Sequence, residues 1–280
     1  MVKNLQIILK ISRPRFWSYL AGPFLIGFVM GNGVNTVFTN PLFILFMLYF
    51  LLPANILLYG INDLFDTDTD KFNEKKKTHE LLFKSYNESI LQISVLASIG
   101  ISLLLIFFIP STISKIIFVL FLLLSIFYST PPLRFKKHPF VDSASNVLYV
   151  LPGLFGYLLY GNSVSALALI AIAAWPIAMH LFSAIPDIAA DKKAGLKTTA
   201  IVLGSQKSLV LCSVLWSISV IAAYNTSLSN AAFLGIIYPL LPLLALKTNK
   251  TEKIYWLFPY INTLLGCLLF FYVVFAANGI

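Results

Sequence analysis

Six carboxylates stand in two short clusters, and their spacing is the feature of the chain that most directly implies chemistry. Asn62 is followed by Asp63, Asp66, Asp68 and Asp70, and Pro186 is followed by Asp187 and Asp191, in a chain that is only 11% charged. At about 100° per helical residue, Asp63, Asp66 and Asp70 share one helix face, as do Asp187 and Asp191. Asp68 falls off that face and reads as a solvated bystander. Acids at a helix end, balanced by Lys71 and Lys75, would account for one or two of these groups. Four within eight residues repel one another unless cations bind among them. Two such faces opposed would make a hard-oxygen cage for Mg²⁺, which binds through a few carboxylates plus substrate phosphates. The expected metal ligands are therefore Asp63, Asp66, Asp70, Asp187 and Asp191, and the expected substrate is a diphosphate. Asn62, a neutral oxygen donor beside the first cluster, would complete a metal shell or orient a carboxylate.

Groups able to hold the phosphates lie close by in sequence. In Tyr128-Ser129-Thr130-Pro131-Pro132-Leu133-Arg134-Phe135-Lys136 the paired prolines force a non-helical turn, from which Arg134 and Lys136 would project at strand-like spacing. Arginine suits bidentate phosphate contact and lysine supplies a point charge. Tyr128, Arg134 and Lys136, with Lys71 and Lys192 next to the acidic clusters, are the candidate substrate contacts. Arg13, in Ser12-Arg13-Pro14-Arg15-Phe16-Trp17, is either a headgroup anchor or a further substrate contact. Lys137 and the run from Lys75 to Lys77 read as ordinary topological charge. His79 and His138 read as loop residues. His180, seven residues before Asp187 within an apolar run, is either functional or a hydrogen-bonded structural histidine.

These residues must be positioned by elements that live in a bilayer. The 280 residues are 59% hydrophobic, too apolar to cover a soluble globular surface. Nine apolar runs approach the roughly 20 residues of a membrane span: about 16–34, 41–61, 88–109, 113–128, 141–160, 164–186, 206–224, 229–246 and 254–276. The third and fourth are split only by Pro110-Ser111-Thr112, the fifth and sixth only by Gly161-Asn162-Ser163, which implies antiparallel neighbours. The first run, with no convincing cleavage site, is expected to be a retained span. Nineteen of the 20 Lys and Arg residues fall in alternate polar segments, leaving Lys115 on the far side. By the positive-inside rule that face, with both acidic clusters, is cytoplasmic and the C-terminus lies outside the cell membrane. The net charge of +9 is thus a topology signal and not a nucleic-acid footprint. Cys212 and Cys267, both in apolar runs, show neither disulfide nor zinc spacing. No domain boundary is visible, so residues 1–280 read as one domain, with the Asp-x-x-x-Asp spacing alone hinting at an internal duplication.

Taken in order, Asn62-Asp63-x-x-Asp66-x-x-x-Asp70, Tyr128-Ser129-x-Pro131-Pro132-Leu133-Arg134-x-Lys136 and Asp187-x-x-x-Asp191 resemble the signatures of UbiA-type intramembrane prenyltransferases. The resemblance covers nearly the whole chain. It implies an all-α membrane protein, nine transmembrane helices bundled around a central cavity open to the bilayer, with Mg²⁺ on both Asp motifs and an isoprenyl diphosphate donor. Ser12 to Trp17 with Leu20-Ala21-Gly22-Pro23, and Pro53-Ala54-Asn55 leading to Tyr59-Gly60-x-Asn62-Asp63, look most like the lycopene elongase branch of carotenoid biosynthesis.

The reaction the resemblance implies is that metal and basic groups neutralise a departing diphosphate, the allylic C–O bond ionises, and a lipophilic acceptor attacks the carbocation. The main polar candidates inside the spans, Asn55, Asn146, His180 and Asn262, offer no default cation for an acceptor carboxylate. That favours a carotenoid over the alternative, an aromatic quinone precursor. A cation-coupled transporter, a reading from another class, would carry acids near the bilayer midplane. All eleven Asp and Glu residues here are expected at or beyond one membrane face.

Overall fold

The computed structural model describes residues 2–66, 88–226 and 228–277, and the described residues with regular structure are helical throughout. In chain order the principal helices are α1 (Val2–Ile11), α2 (Ser18–Asn32), α3 (Pro41–Leu51), α4 (Pro53–Phe65), α5 (Glu88–Leu105), α6 (Thr112–Phe127), α7 (Leu151–Leu158), α8 (Ala166–Ala184), α9 (Ile188–Lys193), α10 (Thr199–Tyr224), α11 (Ile237–Thr248) and α12 (Phe258–Ala277). Six helical stretches among the described residues are long and apolar enough to cross a membrane: Pro41–Phe65, Glu88–Phe108, Ala166–Ala184, Thr199–Tyr224, Ser229–Thr248 and Thr251–Ala276.

The other three of the nine expected runs are helical but shorter. The run at 113–128 forms α6, of 16 residues. The run at 16–34 yields the 15-residue α2, with Pro23 inside it. The run at 141–160 breaks into Val141–Ala144, a 3₁₀ stretch Ser145–Tyr149, and α7. Pro152, which has no N–H to give, stands where α7 begins.

The chain forms two compact units: Met1–Arg134 with Leu151–Asn162, and Phe135–Val150 with Ser163–Ile280. In the first, α2 packs along α7. Lipid is as apolar as leucine, so such contacts rest on close fit more than on removal of surface from water. Glycines supply the fit: a Cβ on Gly27 would overlap the Gly153 carbonyl, and one on Gly156 would lie 2.9 Å from the Phe24 carbonyl oxygen. Phe24, Phe46, Phe50, Phe118 and Phe155 fill the interior, with ring centroids between 4.7 and 6.4 Å apart in successive pairs. Against α4, α5 turns a buried column of Ser94, Ser98 and Ser102, each hydroxyl returned to the carbonyl four residues back. Ser102 also meets the Tyr49 hydroxyl at 2.8 Å.

The break between α3 and α4 is local chemistry. Asn40 caps α3 by accepting from the Leu42 and Phe43 amides, and Leu52, at φ −120°, separates it from α4. Asn55 then donates to the Phe50 and Leu51 carbonyls at 2.7 and 3.0 Å. In hydrocarbon such carbonyls need an internal donor.

In the second unit α8 packs on α10 and α10 on α11, around Phe182, Trp216, Tyr238 and Phe258. α10 is kinked at Gly204, whose φ of 73° is open to glycine at little cost, so the expected 206–224 run is the segment after the kink.

Candidate active site

The first unit brings two of the expected carboxylates to the end of α4. Asp63 lies in the last helical turn. Asp66 is the residue that ends it, at φ −109° with its amide still bonded to the Asn62 carbonyl. The expected single helix face through Asp63, Asp66 and Asp70 therefore stops at Phe65, because Asp66 leaves helical geometry. Asp70 and Lys71, with Asp68, His79 and the run from Lys75 to Lys77, lie outside the described residues.

Each of the two carboxylates has its own guanidinium. Arg13 Nη2 donates to Asp63 Oδ1 at 2.6 Å, and its charge also lies 4.8 Å from the centre of the Tyr59 ring. Arg13 itself has φ 49°, the left-handed conformation that precedes the turn Pro14–Phe16. Asp66, only 1% exposed, accepts at Oδ2 from Asn62 Nδ2 at 2.6 Å and from Ser129 Oγ at 3.0 Å. Arg134 Nη2 stands 3.6 Å from Asp66 Oδ1 and donates to the Phe65 carbonyl at 2.8 Å. Burying carboxylates this deeply is tolerable only with such partners. Tyr128, half-buried, ends α6 directly before Ser129.

The expected strand-like projection of Arg134 and Lys136 is corrected by the backbone. Arg134 is held at φ 37° and Phe135–Lys137 forms a 3₁₀ turn, so the two side chains do not leave an extended strand. The turn is closed by the Arg134 amide on the Thr130 carbonyl and by His138 on Phe135.

The second unit carries the other acidic pair. α8 ends at Ala184, two residues before Pro186, and Asp187 then opens the short helix α9. Asp187 and Asp191 are one turn apart, with the Asp191 amide on the Asp187 carbonyl at 2.8 Å. Both are half-buried, whereas Lys192 is exposed. Lys136, 8% exposed, belongs to this unit.

A further acid here was passed over in the sequence. Asp142 is 1% exposed and accepts from the Thr199 amide at 2.9 Å and from the Thr199 hydroxyl. His180, half-buried on α8, interacts electrostatically with both Asp142 and Asp187. The only signal available was a lone acid opening an apolar run, a pattern that a solvated helix start also produces.

The donor chemistry suits Mg²⁺. Among the described residues no three His, Cys, Asp or Glu side chains of either unit gather as a complete cage. Mg²⁺ asks for less, because it is commonly held by one or two carboxylates while water and substrate phosphates complete the shell. A pair of carboxylates in each unit, one pair matched with guanidinium groups suited to phosphate, meets that requirement.

Comparison with known proteins agrees with this chemistry. Residues 20–255 match the model of the UbiA prenyltransferase family. The chain is 39% identical over 268 residues to a lycopene elongase/hydratase from Haloarcula japonica, covering 94% of this chain and 89% of that protein. It is also 39% identical over 279 residues to one from Halobacterium salinarum, covering 96% and 95%. Among solved structures, a UbiA homolog from Archaeoglobus fulgidus bound to GPP and Mg²⁺ superposes with a TM-score of 0.72 at 22% identity, covering 95% of this chain and 99% of that one. With a family match over most of its length, this chain belongs to the UbiA prenyltransferase family.

Proposed function

We propose that the protein transfers a five-carbon isoprenyl group from an allylic diphosphate to lycopene, as a single Mg²⁺-dependent domain crossing the membrane nine times with its acidic motifs on the cytoplasmic side. Transfer of an isoprenyl group is the activity of its family. The observation that carries the narrower reading is likeness over almost the whole chain to proteins named lycopene elongase/hydratase.

The polar inventory inside the spans supports an apolar acceptor. Asn55 is committed to the Phe50 and Leu51 carbonyls, Asn146 donates to the Asp142 carbonyl, and Asn262 accepts from the Tyr238 hydroxyl. A buried acceptor carboxylate would need a cation. The described intramembrane asparagines provide none, and His180, the fourth polar candidate, already interacts electrostatically with the carboxylates of Asp142 and Asp187.

Asp63, Asp66, Asp70, Asp187 and Asp191 would hold the metal. Bound there, Mg²⁺ supplies the positive charge that makes a diphosphate a good leaving group. Arg134, Lys136 and Arg13 would add fixed positive charge where the departing oxygen gains negative charge, which is the arrangement that stabilises ionisation most. The allylic C–O bond breaks with its electron pair leaving on the diphosphate. A terminal alkene carbon of the acceptor then donates its π electrons to the allylic cation, forming the new C–C bond. The resulting tertiary cation loses a proton or captures water. Apolar side chains keep water from the first cation, and none has to act as a covalent nucleophile.

The reading is tested by expression in cells that make lycopene and in cells that make only quinone precursors, followed by mass spectrometry of the lipids. Lycopene enlarged by one or two five-carbon units is the expected product. Prenylated hydroxybenzoate or naphthoate, with lycopene unchanged, would move the assignment to aromatic acceptors within the family. Family membership already sets aside the cation-coupled transporter.

A further inference from the structure

We propose that Asp142 and Thr199 are positioning residues that lock the lysine-bearing turn of the second unit to the segment carrying its two site carboxylates. The proposal rests on the reading of Lys136, Asp187 and Asp191 as diphosphate and metal groups, and it adds two residues that touch neither.

The hydrogen-bond directions are fully determined. Phe140 donates its amide proton to Thr199 Oγ1 at 2.6 Å, so the single hydroxyl proton of Thr199 is directed to Asp142 Oδ1. The second carboxylate oxygen takes the Thr199 amide at 2.9 Å. That amide is the first of α10, and Asp142 satisfies it from 57 residues away.

Each end of this lock leads to a site residue through short backbone bonds. On one side, Asp142 donates its amide to the His138 carbonyl at 2.9 Å, and His138 donates to Phe135 at 3.0 Å, beside Lys136. On the other, the Leu196 amide bonds the Asp191 carbonyl at 3.0 Å, three residues before Thr199. Phe140 supports the same conclusion. It holds φ 68° and ψ −38°, unfavourable for a residue with a side chain, and such a conformation persists only where its surroundings enforce it. The enforcing groups visible here are Thr199 Oγ1 on its amide and the Ala144 amide on its carbonyl. A carboxylate left only 1% exposed is an expensive choice for a mere helix cap.

The test uses the full-length protein in detergent or native membranes, with an allylic diphosphate and Mg²⁺ titrated separately. Asp142→Ala and Thr199→Val should raise the KM for the diphosphate and the half-saturating Mg²⁺ concentration, with kcat/KM lower by about 10- to 100-fold, while Thr199→Ser stays near the parent value. If Asp142→Ala does not accumulate, Thr199→Val carries the test, because it keeps the shape of the side chain and removes the hydroxyl alone. Unchanged KM and Mg²⁺ dependence in folded Thr199→Val, alongside inactive Lys136→Ala and Asp187→Ala, would overturn the positioning role and spare the site. Full activity in Lys136→Ala and Asp187→Ala would instead remove the site reading itself.

Discussion

Arg13 reaches Asp63 across 50 residues of sequence, closing to 2.6 Å while its guanidinium rests against the Tyr59 ring. The side chain that the sequence left between headgroup anchor and substrate contact is thus tied to an expected metal ligand. On the proposed reading, a cation fixed beside that ligand would share the charge of a departing diphosphate.

Removing Arg13 should show the two roles separately. Arg13→Ala leaves Asp63 buried without its guanidinium, a change that costs up to about 3–5 kcal/mol in comparable pairs. The loss of thermal stability is expected to be large without Mg²⁺ and smaller when the metal is added, because a bound cation also satisfies the carboxylate. Arg13→Lys should recover only part of the activity, since an ammonium lacks the planar fork that pairs and stacks at once. Melting curves with and without Mg²⁺ decide it. Equal destabilisation in both would assign Arg13 to the fold alone.

The carboxylates should be individually necessary. Asp63→Ala, Asp66→Ala, Asp187→Ala and Asp191→Ala are each expected to lower turnover by about 100- to 1000-fold, the usual loss for one electrostatic contact to developing charge. Ser129→Ala removes a hydroxyl donor that aims Asp66 and should cost about 10- to 100-fold. Steady-state assays at matched expression and limiting Mg²⁺ provide the comparison. Parent-level turnover in Asp66→Ala would dismiss this cluster as the reaction centre.

Packing of α2 on α7 predicts a pure stability effect. Gly27→Val places side-chain atoms where the Gly153 carbonyl lies, and overpacking of this kind costs about 1–3 kcal/mol. Gly22→Ala, on the same helix with nothing within 4 Å of its added carbon, should be nearly neutral. Thermal denaturation in detergent of the two variants side by side checks the contrast.

Sidedness is open to chemical labelling. With Cys212 and Cys267 replaced by serine, cysteines at the exposed positions His138 and Lys193 should react with an impermeant thiol reagent from the cytoplasmic face only, and one at Asn225 only from outside. Lys136 is too buried for this purpose. Reaction of positions 138 and 193 from opposite faces would separate the basic turn from the second acidic motif and dismantle the proposed site.

Residue type and order were enough to determine the chemistry. Acid is so scarce in a 59% apolar chain that the Asp63 and Asp187 motifs announce themselves, and apolar length announces helices that must satisfy their own backbone in lipid. Only tertiary structure decided which groups hold those acids. The partners of Asp66 come from its own helix turn and from Ser129 and Arg134, 63 and 68 positions later, and periodicity carries no information about such pairings. Asp142 was invisible for the same reason: a solitary acid at the edge of an apolar run looks solvated until the fold brings Thr199 to it. The glycines of α2 and α7 read as breakers or spacers in a sequence, whereas their role appears once two backbones approach closely enough that a single methyl group would not fit.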